Sequence, residues 1–164
     1  MMNVNNPSAT FTRPANTTAY STGQLVANST TAGSVVPMTF TLGNSFGQGQ
    51  FRLTRIRLVK SGTGVTNATF RLHLYQVAAP TFANGDGGTW SGTGAANWIG
   101  NVDVSSMLAF TDGAAGTGSC PSGSEIFLKT SSGKTVYGVL AALGSYTPTS
   151  GETFTVTLEE VDSY

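Results

Sequence analysis

The chain has 164 residues, enough for one domain with a core, and 63 of them are Gly, Ser or Thr. Eight Lys and Arg balance eight Asp and Glu, and charged residues make up only 10% of the chain. Zero net charge excludes a disordered polyelectrolyte, and so few bases argue against a direct nucleic-acid binder. The helix formers Glu, Lys and Gln are scarce while Thr, Gly and Val abound, so the expected class is all-β.

Met1 to Pro7 carries no positive charge and no apolar run, so it does not read as a secretory signal. Nothing in the sequence is long and apolar enough to suggest a membrane span. Cys120 is the only cysteine, which leaves no intrachain disulfide and no thiolate metal cluster. A reducing cytoplasm is the expected site of synthesis.

Residues 1–34 hold Asn, Thr, Ser and Ala, with isolated apolar points at Val4, Phe11, Tyr20, Leu25 and Val26. Their spacing keeps neither a helical nor a sustained strand period, which predicts a disordered segment or an extended N-terminal arm anchored on another surface. The remainder, 35–164, predicts a single β-sandwich or jelly-roll-like domain. Met38, Phe40 and Leu42 alternate along one strand. In 51–60, Phe51 and Leu53 share one parity and Ile56 and Leu58 the other. One extra residue near Thr54 and Arg55 would return all four to one face, so a β-bulge is expected there. Residues 68–75 alternate with Phe70, Leu72 and Leu74 inward and Arg71, His73 and Tyr75 outward.

Further strands are expected at 98–104, 125–130, 135–143 and 153–161, with a hairpin turn at Ser131, Ser132 and Gly133. Two long Gly- and Ala-rich stretches, about 78–97 and 105–124, read as loops, and loops of that length commonly serve a function. Seven or eight short strands joined by Gly-rich turns are the pattern of a sandwich.

Signals for chemistry are thin. Ser131 to Thr135 ends like a phosphate-binding loop, but Leu128 stands where its first glycine is required, and strands flank it rather than a strand and a helix. His73 is the only histidine, and a nucleophilic triad would have to use it; its outward place on a strand beside Arg71 reads as surface or interface. The acids are scattered apart from Glu159, Glu160 and Asp162, which read as a solvated tail. No catalytic, cofactor or metal site is expected.

Two surfaces remain. Arg52, Arg55, Arg57, Lys60 and Arg71 concentrate positive charge on two strands expected to be neighbours, while seven of the eight acids lie from Asp103 onward. Such patches suit subunit or protein docking. Tyr75, Phe82, Trp90 and Trp98 could instead line a sugar-stacking ledge.

Phe11 to Tyr20, Leu25 to Ser29, Ile56 to Ser61, Phe70 to Tyr75 and Gly151 to Val156 together resemble a family of small tailed-bacteriophage virion proteins. The resemblance implies a head decoration (cement) protein on the capsid exterior. Its partners would be the major capsid protein and further copies of itself, as a homotrimer. On that reading Phe11, Arg13, Pro14, Tyr20 and Leu25 anchor the arm on the capsid or a neighbouring subunit. A carbohydrate- or receptor-binding module of a head fibre or tail, or a tail or connector component, fits the same composition.

Overall fold

The computed structural model describes residues 4–43, 50–129 and 133–163, and its regular structure is almost entirely antiparallel sheet. The strands are β1 (Val4–Asn5), β2 (Ser8–Thr12), β3 (Leu25–Val26), β4 (Met38–Thr41), β5 (Gln50–Lys60), β6 (Phe70–Gln76) and β7 (Thr81–Phe82). They continue as β8 (Gly92–Thr93), β9 (Trp98–Val104), β10 (Leu108–Phe110), β11 (Gly113–Ser119), β12 (Ile126–Lys129), β13 (Thr135–Ala142) and β14 (Thr153–Ser163). A seven-stranded sheet runs β1-β14-β5-β11-β10, with β2 also on β14 and β12 also on β5. A five-stranded sheet runs β3-β13-β6-β9, with β4 also on β13. The expected all-β sandwich is what the chain forms.

The alternating side chains fill the space between the sheets. Phe51, Leu53, Ile56, Leu58, Phe154, Val156 and Leu158 from the larger sheet meet Phe40, Phe70, Leu72, Leu74, Val104 and Val136 from the smaller one. The phase slip in β5 is a bulge, as its sequence implies. Arg55 pairs with Glu159 and Leu53 with Glu160, which leaves Thr54 without a partner in the β14 ladder. Its hydroxyl donates to the Glu159 carbonyl at 2.8 Å. Phe51, Leu53, Ile56 and Leu58 are consequently all fully buried.

Two expectations are corrected. The stretch 105–124 is not one loop, because β10 and β11 lie inside it. β11 reads Gly-Ala-Ala-Gly-Thr-Gly-Ser, poor in strand formers, because its inner side runs against backbone. A Cβ at Gly116 or Gly118 would collide with the carbonyl oxygens of Ser106 and Asp103. Residues 8–27 are not an arm outside the domain either. β2 pairs with β14 and β3 with β13, so both sheets include N-terminal residues. The pattern Ser-Ala-Thr-Phe-Thr hides this, since only Ala9 and Phe11 mark its inner face.

β14 also runs beyond the expected tail boundary to Ser163, carrying Glu159 and Glu160 in its ladder. Ser131 and Ser132 of the expected hairpin turn lie outside the described residues.

Candidate docking face

The two sheets treat their outer faces differently. Over the smaller sheet, residues 77–97 fold back and build a second apolar cluster. In it Leu25, Ala27, Tyr75 and Val139 pack with Phe82, Trp90 and Tyr137. Trp90 lies against His73, Tyr75 and Phe82, with ring centroids 6.2, 6.4 and 5.4 Å away. The segment expected to be a functional loop is thus a cover for one sheet. Trp90 is part of that cover, while Trp98 remains 47% exposed on β9. No ring contact joins the two tryptophans among the described residues, and Trp98 stands opposite Tyr75, on which Trp90 packs.

His73 sits beneath this cover beside the Arg71–Asp103 ion pair, in which Nε and Nη2 donate to the two carboxylate oxygens at 2.7 and 2.8 Å. Burial chiefly, and the Arg71 charge next, pull its pKa down to about 4, against a smaller opposing pull from Asp103. The unfolded chain, with an ordinary histidine near 6.5, therefore binds the proton first as pH falls. Stability should decline between about pH 6.5 and 4 and be fully present above that window. His73→Gln should flatten this part of a pH series of urea midpoints; an unchanged slope would assign the decline to other groups.

Among the described residues the larger sheet has no such cover. Its outward side chains can be read from the register. Arg55 stands opposite Ser119 and Glu159, Arg57 opposite Thr117 and Thr157, and Val59 opposite Ala115 and Thr155. Arg52 stands opposite Phe127. Arg52, Arg55 and Arg57 are exposed, and Arg55 donates to Glu159. No ion pair engages Arg52 or Arg57 among the described residues. Beside them lie exposed apolar side chains, Val59 at 41%, Phe127 at 45%, Leu108 at 67% and Phe110 at 51%. A groove of about 400 Å³ opens there, lined by Arg57, Met107, Leu108, Phe110, Ala115 and Thr117.

The five bases expected to form one face do not stay together. Lys60 continues the inward parity of Ile56 and Leu58 and is buried, with Nζ donating to Glu152, to the Tyr146 hydroxyl and to the Gly62 carbonyl at 3.0, 2.9 and 2.7 Å. Arg71 lies on β6 of the other sheet. β5 and β6 follow each other in sequence but belong to opposite layers, so of the five only Arg52, Arg55 and Arg57 share one face.

The proposed arm anchors also point elsewhere. Phe11 stacks on Phe154 at 5.5 Å, while Tyr20 and Leu25 are 2% and 1% exposed within their own chain. The buried Arg13 guanidinium donates to Asp86 at 3.0 Å, to the Tyr20 hydroxyl at 2.8 Å and to the Asn16 carbonyl at 2.6 Å. Asp86 in turn accepts from the Tyr20 hydroxyl and from the Ala27 amide. The residues tie the N-terminal segment to the cover at 77–97. Pro14 is half-buried, and its carbonyl accepts from the Asn16 amide at 2.8 Å.

Among the described residues no three His, Cys, Asp or Glu gather as a metal ion would need, and no helix is long and apolar enough to cross a membrane. No family model matches the sequence, and no curated protein matches it. Among solved structures, the chain is similar to the virus-like particle of giant freshwater prawn Macrobrachium rosenbergii extra small virus. The likeness covers 99% of this chain and 80% of that one, at 10% identity and a TM-score of 0.31. A TM-score of that size does not establish a common fold.

Proposed function

We propose that this chain is a non-enzymatic structural protein of a tailed-phage virion that decorates the outer surface of the capsid. It docks on the major capsid protein through the outer face of its larger sheet. The observation that carries this reading is the difference between the two faces. The chain spends about twenty residues covering one sheet and, among the described residues, leaves the other uncovered, with Val59, Phe127, Leu108 and Phe110 exposed beside Arg52 and Arg57. Exposed apolar area of this kind, interspersed with charge, marks a protein interface. The family resemblance of the sequence supplies the capsid as the partner, and residues 1–34 contribute by completing the domain instead of reaching out of it.

The test is sedimentation with undecorated phage heads. The wild-type protein should pellet in a fixed ratio to capsid subunits. Arg52→Glu combined with Arg57→Glu should weaken binding by tenfold or more while leaving the fold intact, because both side chains are exposed. Wild-type protein that stays in the supernatant would overturn the reading, as would a double variant that binds like wild type. The exposed Trp98 supports one second reading, a carbohydrate-binding module. Oligosaccharide binding that disappears in Trp98→Ala, with heads ignored, would favour it.

A further inference from the structure

β10 is an edge strand whose three residues, Leu108, Ala109 and Phe110, are all exposed. Its ladder to β11 holds it in place, with no burial of its own side chains to help. The turn to β11 contains only Thr111 and Asp112, so Phe110 and Gly113, which face each other, must be the hydrogen-bonded pair. Bonding alternates along an antiparallel ladder, which makes Ala109–Ala114 the non-bonded pair. The amide and carbonyl of Ala109 therefore point away from β11, and no described strand receives them.

Open edges are usually blunted by shortness, charge, proline or a bulge. The free edge of β9 is treated that way. Ile99 is bulged out between the Leu74–Gly100 and Tyr75–Trp98 pairs, and Asp103 adds charge. β10 is short, but it carries no charge, proline or bulge, and no charged residue occurs from Val104 to Thr111.

We propose that a second copy of this chain pairs with β10, antiparallel, about a two-fold axis through Ala109. The two Ala109 residues exchange both of their backbone hydrogen bonds. Leu108 of each copy then lies opposite Phe110 of the other, on the outer face, and the pairing continues the larger sheet from one copy into the next. The sequence Leu-Ala-Phe suits this axis. It is large-small-large, uncharged, and places its small residue at the centre, so each side meets its own complement.

A two-fold contact is also the commonest closed symmetry, and an axis normal to the strands gives the antiparallel ladder. The alternative self-contact, β10 on the free edge of β2, would be parallel because both strands run the same way in the sheet order, and parallel pairing is the weaker ladder. An acidic partner has no charge to meet on β10. This inference needs no capsid, though it shares Leu108 and Phe110 with the docking face proposed above, and its test is made without heads.

The experiment is sedimentation velocity and light scattering on the full chain over a concentration series. The mass should rise with concentration from 16.9 kDa toward twice that value and stop there. Leu108→Lys and Phe110→Glu, both at exposed positions, should each keep the wild-type circular dichroism and raise the dimer dissociation constant by tenfold or more. Mixed in equal amounts they should dimerise again, because the introduced lysine and glutamate face one another across the ladder. Thr10→Lys on β2 should leave the dimer unaffected. Four results would overturn the proposal: a monomer at every concentration, a mass of three chains, single variants that dimerise like wild type, or a mixture no better than its parts.

Discussion

Removal of residues 1–34 leaves a chain that does not fold cooperatively. Leu25 and Val26, 1% and 2% exposed, go with the segment, and each contributes about 1.5–3 kcal/mol by burial. Phe154 loses its stacking partner Phe11, and β14 loses its pairing with β2. Tyr20, 2% exposed, goes too, and with Arg13, Tyr20 and the Ala27 amide go the partners that hold Asp86 and the cover at 77–97 in place. These losses together rival the whole stability of a typical domain, about 5–15 kcal/mol. Circular dichroism and thermal melts of the truncated chain should show no cooperative transition. A truncated chain that melts sharply near the wild-type temperature would mean that the segment is a separable arm after all.

Lys60→Met destabilises the protein by about 3–5 kcal/mol, because it strands the Glu152 carboxylate in a site with no exposure. In a domain of this length that lowers the melting temperature by roughly 10 °C. Adding Glu152→Gln to it recovers a large part of the loss, since the amide carries no charge and still accepts a hydrogen bond from Tyr146. The ion pair matters less for its own attraction than for the neutralisation of each charge by the other. Urea unfolding of the two variants measures this directly. Equal destabilisation by the single and double changes would show that lost packing, not stranded charge, sets the cost.

The strands that face solvent on one side and core on the other were legible because each position reports its face. That is why β4, β6, β13 and β14 follow from alternation, and why a slip of phase located the bulge at Thr54. β10 and β11 were not legible. The constraint on β11 is contact with the backbone of Ser106 and Asp103, which selects glycine and erases the apolar pattern. The layer to which a strand belongs was hidden too. Arg57 and Arg71 both sit on outward faces, but of opposite sheets, and strand order in sequence does not encode that crossing.

Of the candidate face, Arg52, Arg55 and Arg57 were recognisable from their parity against Phe51, Leu53, Ile56 and Leu58. The same parity test places Lys60 inward, although its charge suggests a surface. Arg13, Asp86, Lys60 and Glu152 look solvated in the sequence because their partners lie 73 and 92 residues away. The apolar half of the face, Leu108 and Phe110, was lost with the misread loop.

The N-terminal strand β2 and the C-terminal strand β14 share one ladder, with Phe11 opposite Phe154. On the ribosome, residues 8–12 must therefore wait until 153–157 have been made before they acquire their neighbour, and β5 waits for the same strand on one side. Closure of the larger sheet follows synthesis instead of accompanying it. The nascent chain carries open, Thr-rich edges for most of its elongation, and folding should be slow, on the order of milliseconds to seconds, as for other domains dominated by distant pairings. Translation stopped anywhere before β14 should yield no native-like intermediate, only material for proteolysis or aggregation.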